Sequence, residues 1–378
     1  MDFGLNGEQQ LLSESARDFL DRESPATVVR RIAEDAVGFS PELARKIAAQ
    51  GWCGVLIPEE YGGLGLELLD AAILLIELGR ALTPSAFLSS SVVATSILLA
   101  AASRQQKKLW LPRLASGEAA ATLAWFEESD RLDPHGIALR PRRNRDSFRL
   151  RGTKLFVLDA QSADLFIVAA RTAPAVGDKG VTLLLVPRDS DGLSFAQLDS
   201  FDRTRRLFEL KFDDVVVPRT QVVGAVDSGW RHLSRALDVA AIGIAAESQG
   251  GAERALEMAV GYSRVREQFG RPIGSFQSLK HIAAECFADI EPSRSLVWYA
   301  AWAQNHVPRD ASRAASMVKA RLGDVYSKTT NSAVQMHGGI GFTWEHDIHF
   351  WFKRAKANEA LYGTPTFHRE RVAELSGW

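Results

Sequence analysis

A chain of 378 residues, 46% hydrophobic and 24% charged, has the balance of a globular protein and enough length for two or three domains. A formal net charge of −1 gives no global attraction to nucleic acid or to an acidic membrane, and two cysteines, Cys53 and Cys286, are too few for a disulfide framework or a typical structural zinc site. The N-terminus lacks the features of a signal peptide and no stretch reaches the roughly 20 apolar residues of a bilayer span, so a cytoplasmic chain with no membrane span is expected.

From residue 8 to about 118 the apolar positions recur at three and four, as in Leu66, Leu69, Ile73 and Ile76, and predict helices. Pro58 and the glycines of Pro58–Gly65 interrupt them with a loop. Between about 120 and 226 short β-branched and aromatic runs take over, at Phe148–Leu150, Leu155–Leu158, Leu165–Ala169, Val181–Val186 and Phe208–Val217. No segment there supplies crossover helices, which predicts an antiparallel β-domain, a barrel or a sandwich, with Arg140–Arg145 as a solvated loop. From Ser228 the helical period returns, through Ala236–Tyr262, Ser275–His306, Ala311–Met336, His346–Ala360 and Phe367–Leu375, and four of these helices are expected to pack as a bundle. The expected class is α+β, mainly α, with a helical domain over 1–119, an antiparallel β-barrel domain over 120–226 and a four-helix bundle over 227–378.

Two C-terminal segments carry residues suited to a dinucleotide. In Arg264–Gln277 (RVREQFGRPIGSFQ), Arg266 offers charge-assisted bonds to a pyrophosphate, Phe269 an aromatic face, and Gln268 and Gln277 amide forks. In Gln335–Phe342 (QMHGGIGF), glycines where a long helix stops, Gly338 and Gly339 among them, let backbone N–H groups approach a phosphate. The glycines follow a helix and not a strand, which excludes a Rossmann fingerprint.

With this order of domains, the two segments resemble the acyl-CoA dehydrogenase family, and PEEYGGLG at 58–65 and HRERVAEL at 368–375 extend the resemblance over nearly the whole chain. The resemblance implies an FAD-dependent α,β-dehydrogenation of an acyl-CoA thioester to a 2-enoyl-CoA, a tetramer, and an electron-transfer flavoprotein as re-oxidant. It also implies that a carboxylate, tuned by a desolvated pocket, removes the α proton. The family's usual base position, aligned on Arg369, holds Tyr362, and the alternative position on an earlier helix falls on Ala240 and Ala241. An unperturbed phenol titrates near 10 and is a weak base at pH 7. Asp238 lies two residues from Ala240 and Glu247 about two turns further on, and Glu247 reads more as a hydrogen-bonding residue within or between helices than as a base.

The flavin-contacting β-segments also depart from the family pattern. Ala124–Pro134 (AWFEESDRLDP) stands where Thr-Glu-Pro and Gly-Ser/Thr-Asp are usual, and Phe156-Val157-Leu158 puts Leu158 where a hydroxyl would bond the flavin ring. In family tetramers the two retained segments reach the FAD of a neighbouring subunit, whereas the departed ones serve the subunit's own. The resemblance therefore points to the non-catalytic subunit of a bacterial heterotetramer, of the kind seen in sterol side-chain degradation, completing half of an FAD site on a catalytic partner. A self-sufficient homotetramer with an unusually placed base, and a scaffold or acyl-CoA-binding member, are the other readings. No metal is expected: His346 and His349 are spaced as a polar helix face, and His337 stands apart from them. Cys286 reads as a buried small hydrophobe, and Trp298, Tyr299 and Trp302 as packing or subunit contact.

Overall fold

A computed structural model describes residues 4–176 and 178–378. Six α-helices precede the first strand: α1 (Gly7–Glu23), α2 (Ala26–Glu34), α3 (Pro41–Ala49), α4 (Leu68–Ala81), α5 (Thr95–Ala101) and α6 (Arg104–Ala115). The expected loop at 58–65 is present, with a single 3-10 turn at Glu59–Tyr61. A π-helical stretch, Phe87–Ala94, runs directly into α5, and all eight of its residues are buried. Its serines explain how so polar a run can be buried. Ser89 Oγ donates to the Asp159 carboxylate at 2.6 Å and Ser90 Oγ accepts the Ala121 N–H at 3.0 Å, so the stretch ties the helices to the β-region.

The β-region differs from a barrel. Its strands are β1 (Ala121–Ala124), β2 (Arg142–Arg143), β3 (Ser147–Leu158), β4 (Leu165–Val176), β5 (Lys179–Pro187), β6 (Leu193–Leu198), β7 (Leu207–Pro218) and β8 (Val222–Val223). They form two four-stranded sheets, ordered β1-β4-β5-β8 and β2-β3-β7-β6, and no closed barrel occurs among the described residues. Nor is the pairing wholly antiparallel, because β1 runs parallel to β4, from Ala121 opposite Leu165 to Ala124 opposite Val168. The physical reason lies in the fully buried β1 and the apolar run Leu165–Ala170 of β4, which suit a sheet covered on both faces. Phe166, Val168 and Ala170 face the second sheet, while Leu165, Ile167 and Ala169 join the core made with the helices. Of the expected arginine loop, Arg142 and Arg143 form the short exposed strand β2.

The last third is helical. Three long helices, α7 (Trp230–Val265), α8 (Gln277–His306) and α9 (Pro308–His337), are followed by α10 (Ile348–Ala360) and α11 (Pro365–Ser376). The bundle thus has five helices where four were expected, with α9 packed against all the others. Cys286 is buried in α8 as expected.

Helix α4 crosses α7 at glycines on both sides. A Cβ on Gly79 would lie 2.1 Å from the Glu247 carbonyl oxygen, and one on Gly250 would lie 1.8 Å from that of Ile76. No side chain fits between those backbones. Gly250→Ala should therefore push the helices apart and destabilise the chain by about 1–3 kcal/mol, even though alanine favours a helix, as measured by urea unfolding.

Candidate functional site

The first retained segment begins where α7 ends. The Arg266 N–H donates to Tyr262 O at 2.9 Å and the Ile273 N–H to Arg266 O at 2.8 Å, closing a small hairpin of β9 (Glu267–Gln268) and β10 (Arg271–Pro272). Phe269 and Gly270 turn it with φ of 54° and 77°, and the Phe269 ring is 91% exposed. Gln277 opens α8 beside it. Aromatic stacking brings in the second segment: the ring of Tyr262 lies on His337 with centroids 4.8 Å apart, and His337 meets His346 at 4.3 Å. Arg266, Gln268, Phe269, Gln277, Gln335, Gly338 and Gly339 are all exposed.

Little inside the chain occupies these groups. Among the described residues the side chains of Arg266, Gln277 and Gln335 make no hydrogen bond or ion pair, and Gln268 bonds only the Glu267 carbonyl, at 2.8 Å. Gly338 has φ 65°, which glycine accommodates without strain, but Gly339 has no such angle, and a Cβ there would meet nothing within 4 Å. A guanidinium, amide forks, an exposed aromatic ring and an open glycine backbone suit the adenosine diphosphate part of a dinucleotide.

The second feature is a pair of adjoining cavities, of about 700 Å³ and about 360 Å³, that share Trp125, Leu132, Asp133, Tyr362 and Phe367. None of the seven exposed residues lines either one. The larger cavity is walled by Leu123, Trp125, Phe126, Phe156 and Leu207 from the β-region, and by Ala357, Ala360 and Leu361 from the end of α10 and the turn after it. Leu158, expected to face the flavin ring, is instead buried and does not line it; the Thr122 hydroxyl donates to its carbonyl at 2.8 Å. Glu127 also turns away. Its carboxylate accepts the Ala138 and Leu139 N–H groups, each at 3.1 Å, and the Lys154 ammonium at 2.5 Å. Burial nevertheless lowers the Lys154 pKa to about 8.

Tyr362 lies at the junction of the cavities, on a turn with φ 58°. Its hydroxyl has no partner among the described residues, and burial raises its pKa, which keeps the phenol neutral. Two buried residues hold this turn by its carbonyls. Lys319 Nζ of α9 donates to Gly363 O at 2.6 Å and Glu359 O at 3.2 Å, and His368 Nε2 lies 2.9 Å from Tyr362 O.

The other candidate base residues are buried in the helical core or engaged by neighbours. Ala240 and Ala241 are buried inside the helical core. Glu247 lines neither cavity; it forms a buried ion pair with Arg205, which also donates to Asn358 Oδ1 at 2.9 Å. Asp238 does line the smaller cavity, but Arg371 and Ser312 engage its two oxygens at 2.5 and 2.6 Å. Nor do His346 and His349 share a polar face. His349 is buried, stacked on Trp344 at 4.4 Å, its ring nitrogens without a hydrogen-bond partner among the described residues, and burial lowers its pKa to about 4. The apolar neighbours Trp344 and Phe350 outweigh the periodicity that suggested exposure.

Sequence reading missed the buried polar groups that join the regions. Asp202 pairs with Arg354 at 2.5 Å, the Thr204 hydroxyl accepts from Arg354 at 2.6 Å, and Asn358 Nδ2 donates to Ser248 at 3.1 Å. Asp159 lies close by, with its pKa raised to about 6 by burial. The run Asp202-Arg-Thr-Arg-Arg206, polar throughout yet bounded by Phe201 and Leu207, was the available signal.

Comparison with known proteins agrees with this architecture. The N-terminal, middle and C-terminal domains of acyl-CoA dehydrogenases match residues 6–118, 122–215 and 227–376. The acyl-CoA dehydrogenase IpdE2 of Mycolicibacterium smegmatis is 31% identical, with 98% of each chain covered. The chain belongs to the acyl-CoA dehydrogenase family. Members of the family are FAD-dependent and dehydrogenate acyl-CoA. Butyryl-CoA dehydrogenase from Megasphaera elsdenii superposes with a TM-score of 0.93 at 28% identity, covering 100% of both chains. The ChsE4–ChsE5 complex from Mycobacterium tuberculosis gives a TM-score of 0.90 at 26% identity, covering 100% of this chain and 99% of that one. No helix among the described residues is long and apolar enough to cross a membrane.

The clamp on Tyr362 has a pH signature. Burial lowers the Lys319 pKa from 10.5 to about 7, so between those values the unfolded chain holds the extra proton and stability rises with pH. The stability difference between wild type and Lys319→Met should therefore grow from pH 7 to pH 10, read by urea unfolding at each pH. Burial lowers the His368 pKa from 6.5 to about 3, so its contribution is present above pH 6.5 and is lost as the pH falls towards 3. His368→Gln should flatten the acid limb of the stability profile, read by urea unfolding at each pH, by an amount on the order of 5 kcal/mol.

Proposed function

We propose that this chain is the non-catalytic subunit of a heterotetrameric acyl-CoA dehydrogenase and supplies one half of an FAD site to a catalytic partner. The observation that carries this reading is the separation of two residue sets. Arg266, Gln268, Phe269, Gln277, Gln335, Gly338 and Gly339 are exposed and, apart from the short Gln268 bond and an edge contact of Phe269 with Phe276, unengaged among the described residues, while the base positions of the chain's own cavity hold no carboxylate. A self-sufficient enzyme needs a carboxylate with a free oxygen facing the substrate. Glu247 and Asp238 are held by Arg205 and Arg371, and the cavity-lining carboxylates unpaired among the described residues, Asp130, Glu370 and Glu374, are solvent-exposed and lack the desolvated setting that tunes a base.

The residues present fit the adenosine diphosphate part of FAD better than its ring. Arg266 would neutralise the pyrophosphate, Gln277 and Gln335 would bond polar edges, and Phe269 would offer a stacking face. Bound FAD supplies the hydride acceptor for α,β-dehydrogenation, and the proton abstraction falls to the partner's residues. Similarity to the ChsE4–ChsE5 complex, which contains two differently named chains, supports a mixed assembly. An electron-transfer flavoprotein as acceptor is part of the same proposal, as are domain limits of 1–119, 120–226 and 227–378.

The purified lone chain should be flavin-poor and inactive, and should gain flavin absorbance and acyl-CoA turnover when co-expressed with a catalytic family member from the same genome. Full flavin occupancy with turnover by the lone chain would sink the proposal. In the mixed complex Arg266→Ala should weaken FAD retention at least about tenfold, because a charged group loses its partner. Unchanged retention, measured by dialysis and absorbance, would count against a role in trans.

A further inference from the structure

The cavities around Tyr362 remain open although the residues that would make them a flavin and acyl-CoA site are gone. Their walls state what they can still hold. Leu123, Trp125, Phe126, Phe156, Leu207 and Phe367 form a largely aromatic lining in the larger cavity. A flavin ring carries carbonyl oxygens and ring nitrogens along one edge; beside Tyr362 the only hydroxyls of this wall are those of Ser200 and Thr364, and Thr364 already accepts the Phe367 N–H at 3.3 Å.

Charge narrows the choice further. Four ionic groups of the larger cavity are already matched, in three pairs: Arg131 with Asp133 at 2.5 Å, Asp202 with Arg354 at 2.5 Å, and Lys356 with Glu359 at 3.1 Å. Asp130 lies at its exposed edge. In the smaller cavity Arg371 is taken by Asp238, while Glu370 and Glu374 have no ion-pair partner among the described residues. The lining therefore carries uncompensated negative charge, which opposes the phosphates of coenzyme A and any other anion. Where the cavities meet, Tyr362 presents a hydroxyl without a partner.

We propose that the adjoining cavities form a ligand site of this chain's own, for an uncharged, largely apolar molecule carrying one carbonyl or hydroxyl oxygen that accepts a hydrogen bond from Tyr362. The site takes neither flavin nor acyl-CoA. This inference rests on the reading above, in which the flavin ring and the base belong to the partner. Tyr362 acts here as a fixed donor, with its turn held by Lys319 and His368. An apolar body fills the aromatic cavity, and the single oxygen sets its orientation.

The neutral naphthyl ketone 6-propionyl-2-(dimethylamino)naphthalene is a suitable probe, since its emission moves to the blue in an apolar site and to the red when its carbonyl accepts a hydrogen bond. The lone full-length chain, with its flavin content first measured by absorbance, should bind the probe saturably and shift its emission to the blue. Tyr362→Phe should weaken binding roughly 3- to 10-fold and move the emission further to the blue, because one hydrogen bond is lost. Ala357→Phe, which fills the larger cavity from α10, should abolish binding with the melting temperature little changed. Excess lumiflavin or butyryl-CoA should not displace the probe.

A colourless chain that fails to bind the probe, or a Tyr362→Phe variant with wild-type affinity and emission, overturns the inference while leaving the proposed subunit role standing. Displacement by butyryl-CoA also overturns it and makes the cavity an acyl-CoA site. A yellow lone chain whose probe is displaced by lumiflavin overturns both readings.

Discussion

The fold depends on a small set of buried charges that cannot be separated without being stranded. Glu247 of α7 is paired with Arg205 of the segment before β7, Arg205 also holds Asn358 of α10, and Asp202 holds Arg354 one turn away. These groups come from the β-region and from two helices of the bundle, so each ion's compensation is supplied by a different part of the chain. Removing one member of such a pair typically costs about 3–5 kcal/mol, because the other charge stays buried without a partner. The cluster therefore fixes how the sheets dock on the bundle, and the Tyr362 turn lies just beyond the end of the same helix, α10. The glycine crossing of α4 and α7 adds a steric constraint at the same place, since Gly79 abuts the carbonyl of Glu247 itself.

Much of this was legible in the residues. Helical period, the loop at 58–65 and the β-rich middle third were read from spacing and residue type, because each reflects a local backbone preference. What escaped was set by tertiary contact. The parallel pairing of β1 with β4 depends on covering both faces of one sheet, and the short apolar runs could not say which neighbour each strand would take. The environment of His349 was likewise missed, since Trp344 and Phe350 enclose it from outside its own helical turn. Glu247 shows the limit well: its ambiguity between base and structural partner was resolved only by Arg205, more than forty residues away.

The two functional features obey different physics. At the cavity, most of the charges inside are consumed internally, and the inner wall is largely apolar around the Tyr362 hydroxyl. At the hairpin and the glycine-rich turn, donors are presented outward, and the packing of the chain gives Gly339 no reason to be glycine. Selection on such a residue must come from whatever approaches it, because the chain alone would tolerate a side chain there.

Helix α7 sets the spacing between these features. From Glu247, near the Tyr362 cavity, to Val265, at the base of the hairpin, the backbone rises by about 27 Å. Electrostatic influence over that span is largely extinguished at physiological ionic strength, where screening acts within about 8 Å for exposed charges. Changes accumulated around the cavity are thus electrically invisible at the hairpin. The cavity and the hairpin are therefore free to vary one at a time, with the charges of one unfelt at the other.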